Sequence, residues 1–177
     1  MPNYRRAFVP GGCWFFTVNL LDRRESLLVD HIAGLREAVA ATRRTHGFEI
    51  CAFVVLPDHL HAVLRLPPGD NDFSTRWRLI KNRFARALPK VERRSAVRVA
   101  RNERGIWQRR FWEHLIRDES DYARHVEYCW INPLKHGLVA RVREWPHSSF
   151  HRDAGAGLVP PDWGGETDTR GDFGERR

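Results

Sequence analysis

Residues 57–66 of the chain read Pro57-Asp58-His59-Leu60-His61-Ala62-Val63-Leu64-Arg65-Leu66. The apolar run that follows the Pro57-Asp58 turn predicts a β-strand. Side chains alternate between the two faces of a strand, so His59 and His61 point to one face and Leu60 to the other. Two neighbouring imidazoles on a rigid strand can bind one divalent cation. A histidine pair of this kind is more often structural, and its meaning depends on the rest of the chain.

The segments before this stretch predict two more strands and a helix. Residues 48–56 form a nearly continuous apolar run, typical of a central strand, which the Pro57-Asp58 turn joins to the histidine strand as a hairpin. Residues 12–20 are β-branched and aromatic and predict a first strand, with Thr17 and Asn19 on one face. Apolar residues at helical spacing predict a helix over 31–41, with Asp30 as its cap.

The segments after the stretch predict two more helices and a short strand. Ser74 is a candidate N-cap for a helix whose apolar face carries Trp77, Ile80, Phe84 and Leu88. A short strand over 114–117 is followed by a helix from about Tyr122 to Ile131, ending before Pro133. The resulting order, β-α-β-β-α-β-α, predicts an α+β fold with helices packed on a mainly antiparallel sheet. One domain over 1–153 would precede an extended or disordered tail over 154–177.

Positive charge is concentrated in one part of the chain. The net charge is +8, and residues 76–110 contain 13 Lys/Arg against 2 Asp/Glu. Such a concentration favours a polyanion-binding surface, with nucleic acid as the partner; the alternative is a solvated basic helix. A basic loop is predicted over Lys90–Arg104, and its role in DNA binding stays open. The residues predicted to contact phosphates are Arg76, Arg78, Lys81, Arg83, Arg109 and Arg110. Arg5 and Arg6 form a small basic arm that could reach a groove of the nucleic acid.

Composition also limits the class of protein. No apolar run approaches the ~20 residues that a membrane helix needs, and the N-terminus has no apolar signal core, so we expect a cytoplasmic, nucleoid-associated protein. Three widely spaced cysteines without a C-x-x-C pair argue against a disulfide framework and against a structural zinc site.

The helix predicted over 122–131 supplies the remaining chemistry. His125, Tyr128 and Asn132 are spaced so that they share one helical face. Facing the two histidines, Asn132 could give a metal a third, oxygen ligand, and Tyr128 could act as a nucleophile. Tyr122 competes for the nucleophile role but lies on a different face, and a tyrosine on such a helix is usually a packing residue.

Several of these motifs together resemble the REP-associated tyrosine transposases, a branch of the HUH (histidine, apolar residue, histidine) single-strand DNA transposases. The resemblance is carried by 4–6, Gly11–Asn19, Val55–His61, Ile106–His114, Asp121–Tyr128, Ile131-Asn132-Pro133 and Trp145-Pro146. It implies a ferredoxin-like catalytic domain that cuts and joins single-stranded DNA at palindromic repeat hairpins through a covalent phosphotyrosine. It also implies that Tyr128 is the nucleophile, that His59, His61 and Asn132 hold Mg²⁺ or Mn²⁺, and that the enzyme is a monomer or homodimer.

Two alternatives and one hypothesis about the tail remain. The chain could be a sequence-specific repeat-DNA-binding protein with little or no cleavage activity. It could also be a metallohydrolase acting on small phosphodiesters, but that class needs a second H-x-[ST] strand, and no strand predicted here carries one. Residues 151–177 hold 6 Asp/Glu against 4 Lys/Arg. This tail could therefore fold over the basic cleft and compete with DNA, in which case truncation after about Arg152 should raise cleavage.

Overall fold

A computed structural model describes residues 9–90, 96–100, 104–165 and 172–175. Its four strands are β1 (Cys13–Asn19), β2 (Glu49–Val55), β3 (His59–Arg65) and β4 (Trp112–Leu115). Its helices are α1 (Leu27–Asp30), α2 (Ile32–Thr45), α3 (Phe73–Ala87), α4 (Ala96–Ala100), α5 (Glu119–Lys135) and α6 (Phe150–Gly155), with a 3₁₀ turn over Val142–Glu144.

The four strands form one antiparallel sheet in the order β2-β3-β1-β4. This spatial order, with helices connecting β1 to β2 and β3 to β4, is that of the ferredoxin-like split β-α-β. The α+β prediction is therefore confirmed, and so is the hairpin formed by β2 and β3. In the central pair, Thr17 lies opposite His61 and Asn19 opposite His59, so both histidines project beside polar residues of β1.

Each face of the sheet carries its own hydrophobic core. On one face α2 and α3 pack over Trp14, Phe16 and Leu60, and α3 contributes Trp77. On the other face Phe15 and Val63 contact the buried side of α5. The alternation along β1 and β3 thus divides apolar residues between two cores and leaves the two histidines with α5.

Three helix boundaries differ from the sequence-based prediction. The N-cap of α2 is His31, and Asp30 is instead the last residue of α1. Helix α3 is capped by Asp72, whose side chain accepts a hydrogen bond from the Thr75 backbone N–H at 2.9 Å, and not by Ser74. Helix α5 begins at Glu119 and runs through Pro133 to Lys135. Proline removes one backbone donor from a helix, yet α5 continues through it, and both Asn132 and Pro133 are buried.

The structure also corrects the predicted role of Arg76. This side chain is 2% exposed, and its guanidinium donates to the carbonyls of Gly47 and Asp72 and to the Asp70 carboxylate. A phosphate could reach it only by displacing these contacts. Arg76 therefore fastens α3 to the turn between α2 and β2 and is not a DNA contact.

Lys81 differs from its predicted role for a similar reason. It is half-buried, its ammonium donates to the Gln108 carbonyl at 2.7 Å, and it lies over the rings of Trp107 and Phe111. Burial lowers the pKa of Lys81 to about 8. These contacts connect α3 to the segment that precedes β4, and they leave the ammonium little capacity for a phosphate.

The C-terminal segment packs against the protein where the sequence favoured an extended or disordered tail. Among its described residues no helix or strand follows Gly155, yet Val159 and Phe173 are buried in the core beneath α5, and Trp163 packs against that core. Residues 91–95, 101–103, Arg5 and Arg6 lie outside the described residues, so the predicted basic loop is described only in part, as α4 and its neighbours. None of the described helices is long and apolar enough to cross a bilayer.

Candidate active site

The candidate site lies where β3 meets the C-terminal half of α5. His59, at the start of β3, contacts the Asp58 carboxylate through Nδ1 at 2.7 Å, and Asp58 also pairs with Arg23. Burial opposes ionisation of Asp58, but its contacts with His59 and Arg23 outweigh it and lower the pKa of Asp58 to about 2. The ionised carboxylate accepts a hydrogen bond from Nδ1–H of His59, which leaves Nε2 of that ring for the site.

His61 is oriented by Thr17 of the neighbouring strand. The Thr17 hydroxyl donates to the carbonyl of Phe173 and lies 2.8 Å from Nδ1 of His61. A hydroxyl has one proton, so Nδ1 of His61 must be the donor in the second contact. Burial lowers the pKa of His61 to about 4, and the neutral ring then carries an unprotonated Nε2. Both histidines are thus held in the tautomer that a metal ligand requires.

Glu175, near the C-terminus, places its carboxylate among these side chains. Its Oε1 lies 2.8 Å from Nε2 of His61 and accepts from the Asn132 amide at 2.7 Å. Its Oε2 accepts from Lys135 at 2.9 Å and lies 3.4 Å from Nε2 of His136. Burial disfavours its charge, but the contacts with His136 and His59 outweigh that effect and lower the pKa of the Glu175 carboxyl.

The donor atoms at this position fit a divalent cation. Nε2 of His59 and Oδ1 of Asn132 are buried and have no hydrogen-bond partner among the described residues. The unprotonated Nε2 of His61 faces a carboxylate oxygen of Glu175. Both atoms are hydrogen-bond acceptors, so the contact is favourable only with a proton or a cation between them. His59, His136 and Glu175 offer ligand atoms within 4.8 Å of one another. The imidazole nitrogens of His59 and His61 and the amide oxygen of Asn132 can hold a divalent cation such as Mg²⁺ or Mn²⁺ in place of their contacts with Glu175.

Tyr128 lies beside this donor set. Its ring contacts His61 edge-on, with 5.3 Å between ring centroids, and its hydroxyl accepts a hydrogen bond from Lys135 at 2.7 Å. Phe173 stacks flat on it, with centroids 3.7 Å apart, and leaves Tyr128 without exposed surface. Burial and the charge of Glu175 raise the pKa of the Tyr128 phenol. The described C-terminal residues therefore cover the tyrosine and keep it protonated.

The predicted face of α5 is divided between two groups of side chains. Tyr128 and Asn132 belong to the site, as the spacing predicted, whereas His125 lies one turn earlier in a separate cluster. There it contacts Asp121, whose carboxylate also lies 2.8 Å from Nε2 of His114 on β4. The ligand atoms of His114, Asp121 and His125 lie within 4.8 Å of one another, and the two imidazoles stack nearly parallel. This cluster fastens the first turn of α5 to the sheet edge. Tyr122, the rival nucleophile, packs half-buried against the core beneath α5.

Three residues of the site were missed in the sequence. Lys135 is the last residue of α5 and His136 is its C-cap, and both lie beyond the point before Pro133 where the sequence predicts the helix to end. Their signal was their spacing from Tyr128, because Lys135 lies seven positions further along the same helical face. Glu175 carried no local signal, since only the tertiary structure brings it to the histidines.

The remaining predicted DNA contacts are arginines on the surface. Arg78 and Arg83 are exposed on α3, and Arg109 and Arg110 are exposed before β4. Because α3 and the segment before β4 are joined by Lys81, these four side chains can belong to one basic surface.

Similarity to known proteins extends over nearly the whole chain. No family model matches the chain. A REP-associated tyrosine transposase of Escherichia coli (strain K12) is 49% identical over 166 residues, which cover 94% of this chain and 93% of that protein. The chain belongs to the REP-associated tyrosine transposases. A Haemophilus influenzae relative assigned to the same family is 48% identical over 171 residues, 96% of this chain and 97% of its own length.

A solved structure of a REP-associated tyrosine transposase bound to a REP hairpin superposes with a TM-score of 0.86 at 48% identity. The match covers 100% of this chain and 99% of that one. The chain therefore has the α+β fold of this family and is a transposase-type enzyme.

Proposed function

We propose that the protein is a metal-dependent single-stranded DNA endonuclease and strand transferase that acts at palindromic repeat hairpins through a covalent phosphotyrosine. One observation carries the proposal. The Tyr128 ring packs against His61, and one carboxylate oxygen of Glu175 contacts both His61 and Asn132. Beside them, the buried Nε2 of His59 and Oδ1 of Asn132 have no hydrogen-bond partner among the described residues. A nucleophile next to a cation site is an arrangement suited to phosphodiester cleavage by tyrosine.

The proposed reaction has two steps, cleavage and rejoining, and both take place at Tyr128. Once Phe173 and Glu175 no longer cover it, the phenol of Tyr128 would lose its proton to solvent, and its oxygen would attack the phosphorus of the scissile linkage. The bond from phosphorus to the sugar oxygen on the opposite side breaks, and that oxygen takes up a proton from solvent. One DNA end is then joined to Tyr128, and the energy of the phosphodiester is kept for rejoining when a free DNA hydroxyl attacks in reverse.

His59, His61 and Asn132 would hold Mg²⁺ or Mn²⁺, and the ion would polarise the phosphoryl oxygens as a Lewis acid. The role of the chain is to keep the ligands in place. Asp58 and Thr17 fix the two imidazole tautomers through 2.7 Å and 2.8 Å contacts, and outer contacts of this kind support metal affinity.

DNA would be the partner, as single strands and as hairpins. The relative in the solved complex is bound to a REP hairpin, and the exposed Arg78, Arg83, Arg109 and Arg110 offer this chain a basic surface for a hairpin of the same kind. Such a protein would work on chromosomal DNA, in association with the nucleoid, as a monomer or homodimer.

Adduct formation tests the proposal directly. The protein is incubated with a repeat hairpin that carries a single-stranded flank and Mn²⁺, and a denaturation-resistant protein–DNA adduct is measured on a gel. Tyr128→Phe should abolish the adduct, because phenylalanine keeps the ring and loses the nucleophilic oxygen. Tyr122→Phe, on the same helix, is the matched control and should retain it.

The same experiment separates the alternative function. A repeat-DNA-binding protein would bind the hairpin with unchanged affinity in both variants and form no adduct with any divalent ion. An adduct that persists in Tyr128→Phe would show that another residue is the nucleophile.

A further inference from the structure

The contacts of Lys135 show where an anion binds beside the nucleophile. Its ammonium lies 2.7 Å from the Tyr128 hydroxyl and 2.9 Å from Oε2 of Glu175. The side chain is 33% exposed, so it can be reached from solvent once the carboxylate leaves. The Glu175 carboxylate is the chain's own anion, held between a cation and the candidate metal ligands.

A phosphodiester in this place would present the same chemistry. It carries one negative charge shared by two non-bridging oxygens, as a carboxylate does, and both groups accept charge-assisted hydrogen bonds from lysine. We propose that Lys135 binds a non-bridging oxygen of the scissile phosphate, at the position that Oε2 of Glu175 fills in this structure. This inference rests on the proposed function, because it assigns a binding residue to that reaction.

The distances make Lys135 suited to position the phosphate. A group bound to an ammonium that already contacts the Tyr128 hydroxyl is brought next to that hydroxyl, and reacting atoms need an approach of about 3–3.5 Å. The ammonium would also face the negative charge that increases on the phosphoryl oxygens during attack. Lysine suits this task as a compact point charge on a flexible stem.

A purely structural role makes a different prediction. Lys135 lies in the last turn of α5, where a cation interacts favourably with the helix dipole. In that case its removal would slightly lower the unfolding temperature and would have the same effect on every DNA substrate.

The experiment pairs variants of Lys135 with a change in the DNA. All proteins carry Glu175→Gln, which removes the competing charge, and the adduct-formation rate is measured with Mn²⁺. The substrate has either a normal scissile phosphate or a methylphosphonate, in which a methyl group replaces one charged oxygen. Lys135→Met should slow the reaction of the normal substrate about 100-fold. The Lys135→Arg protein should react at least tenfold faster than the Lys135→Met protein.

The methylphosphonate gives the decisive comparison. In the protein that retains Lys135, one of the two methylphosphonate stereoisomers should react about 100-fold more slowly than the normal substrate. In Lys135→Met the same stereoisomer should react less than fivefold more slowly than the normal substrate, because the contact is already missing. Equal slowing of both proteins by both stereoisomers would overturn the inference.

A binding measurement keeps this result separate from the proposed function. All proteins in this measurement also carry Tyr128→Phe, and the DNA strand spans the scissile linkage. Lys135→Met should lower affinity for the strand with a normal phosphate and leave affinity for the methylphosphonate strand unchanged. If Lys135→Met weakens binding of the normal phosphate alone, and the protein that retains Tyr128 forms no adduct, the proposed reaction is refuted and the phosphate contact is retained. If the adduct forms but Lys135→Met changes binding of the two strands equally, the proposed reaction is retained and the phosphate contact is refuted.

Discussion

At the scale of single residues, the structure separates two arginines that the sequence placed in one group. Arg76 and Arg78 are two positions apart on α3, yet one is buried and the other exposed. The buried guanidinium keeps three partners, Asp70, Asp72 and Gly47. A charge that is withdrawn from water in this way serves the fold, since its hydrogen bonds replace its hydration.

The Asp70–Arg76 pair gives a prediction about pH. The hydrogen bond from Arg76 lowers the pKa of the Asp70 carboxyl below its usual value of 3.8. Because the folded-state pKa is the lower one, the pair contributes stability above pH 3.8, and that contribution is lost as the pH falls through the folded-state pKa. Asp70→Asn should lower the free energy of unfolding by about 1–3 kcal/mol at pH 7 and flatten its decline below pH 4.

Urea unfolding between pH 2.5 and 7 measures both effects. Glu37→Gln is the control, because Glu37 pairs with Arg44 on the surface at 69% exposure, and such pairs contribute about 0–1 kcal/mol. A decline with acid that is as steep in Asp70→Asn as in the unchanged protein would contradict the assignment.

At the scale of elements, α3 has a buried face that holds the fold and an exposed face available to DNA. Arg78 and Arg83 lie on the exposed face. Replacing both with alanine should weaken hairpin binding alike for all hairpin sequences and reduce the dependence of log affinity on log salt by about 1 for each lost phosphate contact. Fluorescence anisotropy over 50–300 mM salt measures this, with Arg44→Ala on α2 as the control. An unchanged salt slope would place the DNA elsewhere.

Helix α5 performs two tasks along its length. Its first turn is fastened to β4 through Asp121, His114 and His125, and its last turns carry Tyr128 and Asn132 to β3. The helix continues through Pro133, where the residues around it are buried, and this extra turn brings Lys135 to the tyrosine.

At the scale of the whole molecule, the C-terminal segment returns to the site. Phe173 covers the ring of Tyr128, and Glu175 contacts the candidate metal ligands. Removing residues 172–177 should raise the rate of adduct formation at least tenfold, because the phosphate no longer competes with a carboxylate held by the chain itself. Glu175→Gln should give part of that increase, whereas Asp162→Asn, an exposed carboxylate of the same segment, should give none.

The position of the truncation matters for this test. Ending the chain after Arg152, as the sequence suggested, would also remove Val159 and Trp163 from the core beneath α5 and would destabilise the fold. A chain that ends at 171 keeps both residues. An unchanged rate in that shorter protein would show that the segment does not restrict the site.

By itself the sequence determined the alternation of strands and helices, the histidine pair on β3, and the pairing of Tyr128 with Asn132 on one helical face. These follow from local periodicity, which a strand or helix imposes on its own residues. Only the tertiary structure decided that Arg76 is buried, that α5 passes through Pro133, and that Glu175 reaches His61 across 114 positions of the chain. Such contacts depend on which surfaces pack together, and no local pattern records them.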